Sequence, residues 1–145
     1  MKELKIYLAG AMSGLTMEDM NNWRIEMRQG LLHMADYHDK SINVVNPVDY
    51  YNFEKPLHQT EREVMQFDLN HVKSSDLIIV NLANLSTSIG TIIELYEANN
   101  RNIPVLCFGK SSEYSCLHPW IKECITRYSY GTNGVLEYIQ KFYMS

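Results

Sequence analysis

The run Asp76-Leu-Ile-Ile-Val-Asn-Leu82 constrains this chain most. Its apolar residues are continuous rather than alternating, and Ile78, Ile79 and Val80 are β-branched. Such a strand reads as buried on both faces, which is the habit of parallel sheets covered by helices on each side. Parallel neighbours cannot be joined by a tight turn and need a crossover, usually a helix. The rest of the chain should therefore supply further strands separated by helices.

It does. Strand-like runs are expected at 5–9, 43–46, 77–82, 103–108 and 127–130. Between the first two, Met20, Trp23, Met27, Leu31 and Met34 recur at helical spacing, and that helix should end near Asp36. Thr16-Met-Glu-Asp19 before it resembles a capping box, with Asp in place of Glu. A second helix is expected over 60–74, with Val64, Phe67, Leu69 and Val72 apolar. A third is expected over 91–100, a short one from His118 to about Ile125 with Pro119 near its start, and a closing one over 132–142. Residues 48–59 are aromatic and contain proline without a clear period, so they read as a loop able to fold over a site. The alternation predicts an α/β fold, a flavodoxin/Rossmann-like three-layer sandwich. Its five-stranded parallel sheet should run in the order 2-1-3-4-5 with helices on both faces. The switch point then falls between strands one and three, where the loops 10–14 and 83–90 would meet.

At 145 residues the chain has the length of one domain, and one domain is expected over 1–145. A net charge of −4 without a Lys/Arg stripe argues against a duplex nucleic-acid binder. No apolar stretch reaches bilayer length, and the start does not read as a signal peptide. The three cysteines make no Cys-x-x-Cys pair and read as reduced cytoplasmic thiols, with Cys107 in the core. The five histidines show no ligand spacing, so neither metal nor cofactor is expected.

Glu94 is the foremost candidate for chemistry. It lies one turn into the helix that follows the central strand, where an open α/β sheet binds ligands. Thr91-Ile-Ile-Glu94 also fits a capping box, so a purely local role stays open. Glu97, one turn further, should face solvent. The turn Gly10-Ala-Met-Ser13-Gly14 would let backbone N–H groups approach a phosphate, or is a plain tight turn; it matches neither Gly-x-Gly-x-x-Gly nor a P-loop. Ser88, two residues before Gly90, is an anion-binding hydroxyl or a helix cap. Asp68 is a reacting carboxyl or a solvated helix residue. Asp76 reads as a local turn group. Tyr7 is a core aromatic with its hydroxyl at the rim, and Trp23 belongs to the core stripe.

Taken together, Lys5-Ile-Tyr7-Leu-Ala-Gly10, Asp68-Leu-Asn70, Ser74-Ser-Asp76-Leu-Ile-Ile-Val80, Ser88-Ile-Gly90-Thr-Ile-Ile-Glu94-Leu and Asn102-Ile-Pro104-Val-Leu resemble the nucleoside 2-deoxyribosyltransferase family. That family includes a branch of deoxynucleoside 5'-monophosphate N-hydrolases. The resemblance implies that Glu94 is the nucleophile toward C1' of the sugar. It implies that Asp68 handles the leaving base and that Tyr7 stands beside the nucleophile. Nucleoside transferases carry Asp six residues before the nucleophile; Ser88 at that position resembles the monophosphate hydrolases. Ser88 and Gly90, with Ser13 and the Gly10 and Gly14 backbone, would then form a phosphate cradle. Arg24 would reach it only if its helix turned inward. Ile92 stands where some relatives have Gly.

The chemistry implied is cleavage of an N-glycosidic bond through a glycosyl-enzyme intermediate, releasing free base. Base exchange between deoxynucleosides is the alternative within the family. A TIR-like NAD glycohydrolase and a non-catalytic nucleotide-binding module are further alternatives. A receiver domain does not fit, since Asn81 stands where it needs Asp. The partner expected is a small nucleotide or nucleoside. The resemblance also implies a homodimer or higher homo-oligomer, and the Tyr-rich tail (Tyr128, Tyr130, Tyr138, Tyr143) is a candidate for its contacts.

Overall fold

A computed structural model describes residues 3–51 and 55–144. Five parallel strands form one sheet: β1 Leu4–Ala9, β2 Ile42–Val45, β3 Leu77–Asn81, β4 Val105–Phe108 and β5 Arg127–Ser129. Their order is β2-β1-β3-β4-β5, as the alternation requires. The register places Tyr7 between Val45 of β2 and Ile78 of β3, and Ile79 beside Leu106 of β4. Ile6, Leu8, Ile78, Ile79 and Val80 are wholly inaccessible, so β1 and β3 are buried on both faces.

Alternating side chains divide the core in two. Ile6, Leu8, Leu77, Ile79 and Leu106 meet α1 (Met17–Tyr37) and α6 (Thr132–Tyr143) through Met27, Leu31, Val135 and Ile139. Tyr7, Ala9, Ile78, Val80, Val105 and Cys107 face α2 (Glu61–Lys73) and α3 (Ile89–Asn100) through Val72, Leu95 and Ala98. Burial pushes the Cys107 thiol up to about 12, in keeping with its core position. The short helices α4 (Ser111–Ser115) and α5 (Pro119–Glu123) complete the second layer, with Leu117 and Ile121 packed inward. The sequence pattern pointed to α5 but not to α4, whose five residues are too few for a period.

The helix starts follow local chemistry. Thr16 caps α1 by accepting from the Asp19 N–H at 3.1 Å. Thr60 caps α2 in a full box, since the Glu63 carboxylate returns to the Thr60 N–H at 2.7 Å. On α2 only Val72 is fully buried; Val64, Phe67 and Leu69 are half-covered. Residues 47–50 form a 3-10 turn capped by Asn46, which starts the expected loop 48–59; residues 52–54 of that loop lie outside the described residues. Asp76 is not a local turn group. Its carboxylate accepts from the Lys5 N–H at 2.8 Å and so ties β1 to the start of β3.

The Tyr-rich tail is partly engaged. The Tyr128 hydroxyl donates to the Gly109 carbonyl at 2.8 Å and its ring stacks on Tyr114. Tyr138 packs against Tyr143 beneath Arg127, while Tyr130 is exposed. Among the described residues no helix is long and apolar enough to cross a membrane.

Candidate functional site

Helix α3 begins at Ile89, directly after Ser88, and buries Thr91, Glu94, Leu95 and Ala98 along one stripe. Glu94 is therefore well inside the helix and no cap: the helix starts three residues earlier than the Thr91 box required. Its side chain is only 9% exposed and points at the sheet. Tyr7, 1% exposed on β1, donates its hydroxyl to Glu94 Oε2. Among the described residues Oε1 has no hydrogen-bond partner. Glu97 does not simply face solvent. It is half-buried and accepts from Arg101 Nε at 2.8 Å.

Asp68 comes from α2. It is half-buried, and the Tyr51 hydroxyl donates to its Oδ1 at 2.5 Å. Tyr51 in turn packs against His58 and Phe67. β1, α2, α3 and the segment after the 3-10 turn thus bring two carboxyls and two phenols into one low-dielectric region.

Burial dominates the electrostatics. It lifts Glu94 from an ordinary 4.5 to about 8, and the negative charge of Asp68 pushes the same way. The Tyr7 hydrogen bond and the Arg24 charge oppose that rise without cancelling it. Burial likewise raises Asp68, against the pull of the Tyr51 hydrogen bond, His58 and Arg24. Tyr7 is held well above the usual phenol range, first by burial and then by the Glu94 charge, so it stays a donor.

At the N-terminus of α3 the Ser88 and Thr91 hydroxyls lie 2.6 Å apart, and neither caps the helix through Ser88. Open space surrounds Gly90. This helix end has free N–H donors and two hydroxyls, which suits an anion. Of the β1–α1 turn, Ser13 is exposed and Gly14 adopts φ +78° with room around it. Gly10 differs. It is buried, its carbonyl accepts from Arg24 Nη2 at 3.0 Å, and an added Cβ would stand 2.7 Å from Trp23 Cζ2. Gly10→Ala is expected to cost about 1–3 kcal/mol of stability by overpacking against the Trp23 ring, checked by denaturant unfolding.

A crevice of about 320 Å³ opens at the switch point. Ala11, Leu15, Asp19 and Trp23 form one wall and Asn81, Ala83 and Asn84 the other. Trp23 is thus half-buried and lines a cavity, rather than lying wholly in the core. The crevice belongs to the α1 side of the sheet, whereas Glu94, Tyr7 and Asp68 lie on the α2 and α3 side. The candidate site is placed at the paired carboxyls, because the crevice walls bring a single exposed carboxylate, Asp19, and no second group to exchange protons with a substrate.

Tyr51 escaped sequence reasoning, whereas Arg24 was weighed only on the condition that its helix turned it inward, which it does. Tyr51 lies where no period exists to orient it. Arg24 was legible in principle, since Met20, Arg24, Met27 and Leu31 share one helical stripe, and all four are buried.

Fold, switch point and paired carboxyls define an α/β protein with a buried carboxyl site at the carboxyl ends of its parallel strands. The chain belongs to the nucleoside 2-deoxyribosyltransferase-like family, whose model matches residues 3–111. No curated protein matches it in sequence. Among solved structures, a conserved protein from Enterococcus faecalis V583 is similar over 97% of this chain and 99% of its own, with a TM-score of 0.75 at 18% identity. The 2-deoxyribosyltransferase of Bacillus psychrosaccharolyticus is similar over 92% and 91%, with 0.63 at 19% identity. The CMP N-glycosidase BcmB of Clostridium botulinum is similar over 95% and 98%, with 0.56 at 14% identity. At these identities the likeness is one of fold.

Proposed function

We propose that this protein cleaves the N-glycosidic bond of (deoxy)nucleoside 5'-monophosphates, with Glu94 as nucleophile. The observation that carries this reading is the buried Glu94 carboxyl, held by Tyr7 at one oxygen, with a second carboxyl, Asp68, acting on it electrostatically. In the first step Glu94 Oε1 attacks C1' of the sugar. The C1'–N bond breaks, its electron pair passes to the base, and Asp68 gives the base a proton. Water then attacks C1' of the glycosyl ester, loses its proton to Asp68, and frees Glu94. Tyr7 fixes the orientation of the carboxylate and donates to it in both steps.

The Ser88–Thr91 hydroxyl pair at the start of α3 supports a monophosphate as substrate. A carboxylate in place of Ser88 would repel that group. Ser88→Ala is expected to weaken use of monophosphates roughly ten- to a hundredfold, since a hydrogen bond to a charged group is worth about 1.5–3 kcal/mol. Use of the matching nucleosides should change little. Equal losses on both, measured as kcat/KM, would remove the phosphate from Ser88.

The reaction is tested by free-base release from nucleosides, 5'-monophosphates and NAD, each with and without a second base. Base release from monophosphates alone supports the hydrolase. A new nucleoside formed only with an added base would make the protein a transferase, the activity named for the Bacillus psychrosaccharolyticus relative. Nicotinamide release would point to NAD, and silence would leave a binding module. We also propose that the chain acts as one domain and as a homo-oligomer.

A further inference from the structure

Among the described residues Arg24 is the largest wholly buried side chain, with 0% exposure. A buried guanidinium is costly unless paired, yet among the described residues no carboxylate lies within ion-pair distance of it. Main-chain carbonyls hold it instead. It donates from Nε to Leu8 at 3.5 Å, from Nη2 to Gly10 at 3.0 Å, and from Nη1 to Met20. Its charge also sits 4.7 Å from the centre of the Trp23 ring, in the crevice wall. Leu8 is the second-last residue of β1 and Gly10 directly follows the strand, so the cation is fixed to the strand end next to Tyr7.

We propose that Arg24 is a positioning residue for the carboxyl pair: its immobile guanidinium supplies the positive charge that lets Glu94 carry a negative one beside Asp68, while its carbonyl bonds set the Gly10 turn. The inference rests on Glu94 being the nucleophile. Attack on C1' requires the carboxylate, and both burial and Asp68 disfavour it. Four elements present titratable groups to Glu94: β1 gives Tyr7, α2 gives Asp68, the segment after the 3-10 turn gives Tyr51, and α1 gives Arg24. His58 acts on Asp68. Arg24 is the only permanent cation of the set. Burial lowers it to about 10, where it still keeps its charge at neutral pH. Carbonyl acceptors suit this task better than a carboxylate would. They fix the guanidinium without neutralising it, so its field remains available to Glu94.

The test compares Arg24→Gln, which keeps amide donors but no charge, with Arg24→Lys, which keeps the charge. Base release is followed against pH, and the Glu94 side-chain carboxyl is titrated by NMR. Arg24→Gln should move the Glu94 midpoint upward, each full unit of movement costing roughly tenfold in rate at a pH on the acidic limb. The deficit should shrink as pH rises past the new midpoint. Arg24→Lys should leave the midpoint within about half a unit, even if the altered turn lowers the rate throughout. An unmoved midpoint in Arg24→Gln, with a uniform loss at all pH values, would overturn the proposal and leave Arg24 a structural residue. If the wild type releases no base from any substrate, the proposed function fails separately. The NMR titration then still decides whether Arg24 governs the Glu94 charge. Should Arg24→Gln not fold, a shift of the Glu94 midpoint by a half unit or more in Arg24→Lys, where charge is kept, would equally overturn it.

Discussion

Glu94→Gln is expected to abolish base release, by at least about 10³-fold, and at the same time to make the protein more stable at alkaline pH. The first effect follows from chemistry: an amide oxygen is a poor nucleophile toward C1' and cannot leave again as a carboxylate. The second follows from linkage. Burial raises the folded-state value of Glu94 from 4.5 to about 8. A group raised in the folded state contributes stability that is fully present below its unfolded value and is lost as pH rises through the folded one. The wild type therefore loses stability between about pH 4.5 and 8, approaching roughly 5 kcal/mol at about 1.4 kcal/mol per tenfold. Glutamine is of similar shape, can accept the Tyr7 hydroxyl, and has no charge to bury. Thermal midpoints of the two proteins should agree near pH 4 and separate progressively up to pH 9, with the variant higher. An active site that costs stability is the usual exchange. A variant that is inactive but no more stable at pH 9 would mean that Glu94 is ionised cheaply, and that its environment is wetter than its burial indicates. A variant that keeps near-full turnover would remove Glu94 from the nucleophile's place.

The fold was legible because two simple patterns agree. Residues 77–80 are continuously apolar, which demands cover on both faces, and the helical stripes between the strands supply that cover. Strand order followed from connection rules rather than from any single residue. The site was legible only where backbone position decides it. Glu94 and Ser88 were singled out because they follow a central strand. Their surroundings depend on long-range packing that sequence spacing does not encode. Tyr51 meets Asp68 across 17 residues of chain. Arg24 reaches Gly10 across 14, from a helix whose charged positions are ordinarily read as solvent-facing. The stripe shared by Thr91, Glu94, Leu95 and Ala98 was the stronger clue to Glu94. A carboxylate on the apolar side of a helix is costly, and that cost marks function more sharply than position does.

Asp68→Asn should separate the role of the acid from that of the nucleophile, because its effect depends on the leaving base. Removing a general acid costs about 10²–10⁴-fold when the leaving group needs a proton. A base nitrogen expelled as an anion from a buried site is such a group. An N7-methylated purine is not: it already carries a positive charge and departs neutral. Asp68→Asn is therefore expected to lose about 10²-fold or more on an unmodified purine monophosphate and less than about tenfold on its N7-methyl counterpart. Glu94→Gln should be inactive on both, since each still needs attack at C1'. The geometry supports this division. Tyr51 donates to Oδ1 of Asp68, so a proton to be transferred sits on Oδ2. Burial raises Asp68 and favours the protonated form that an acid requires, while the Tyr51 hydrogen bond steadies the anion left after transfer. Equal losses of Asp68→Asn on the two substrates would sink the general-acid role. Asp68 would then act only through its charge on Glu94, and the proton for the leaving base would have to come from solvent entering at the mouth of the site.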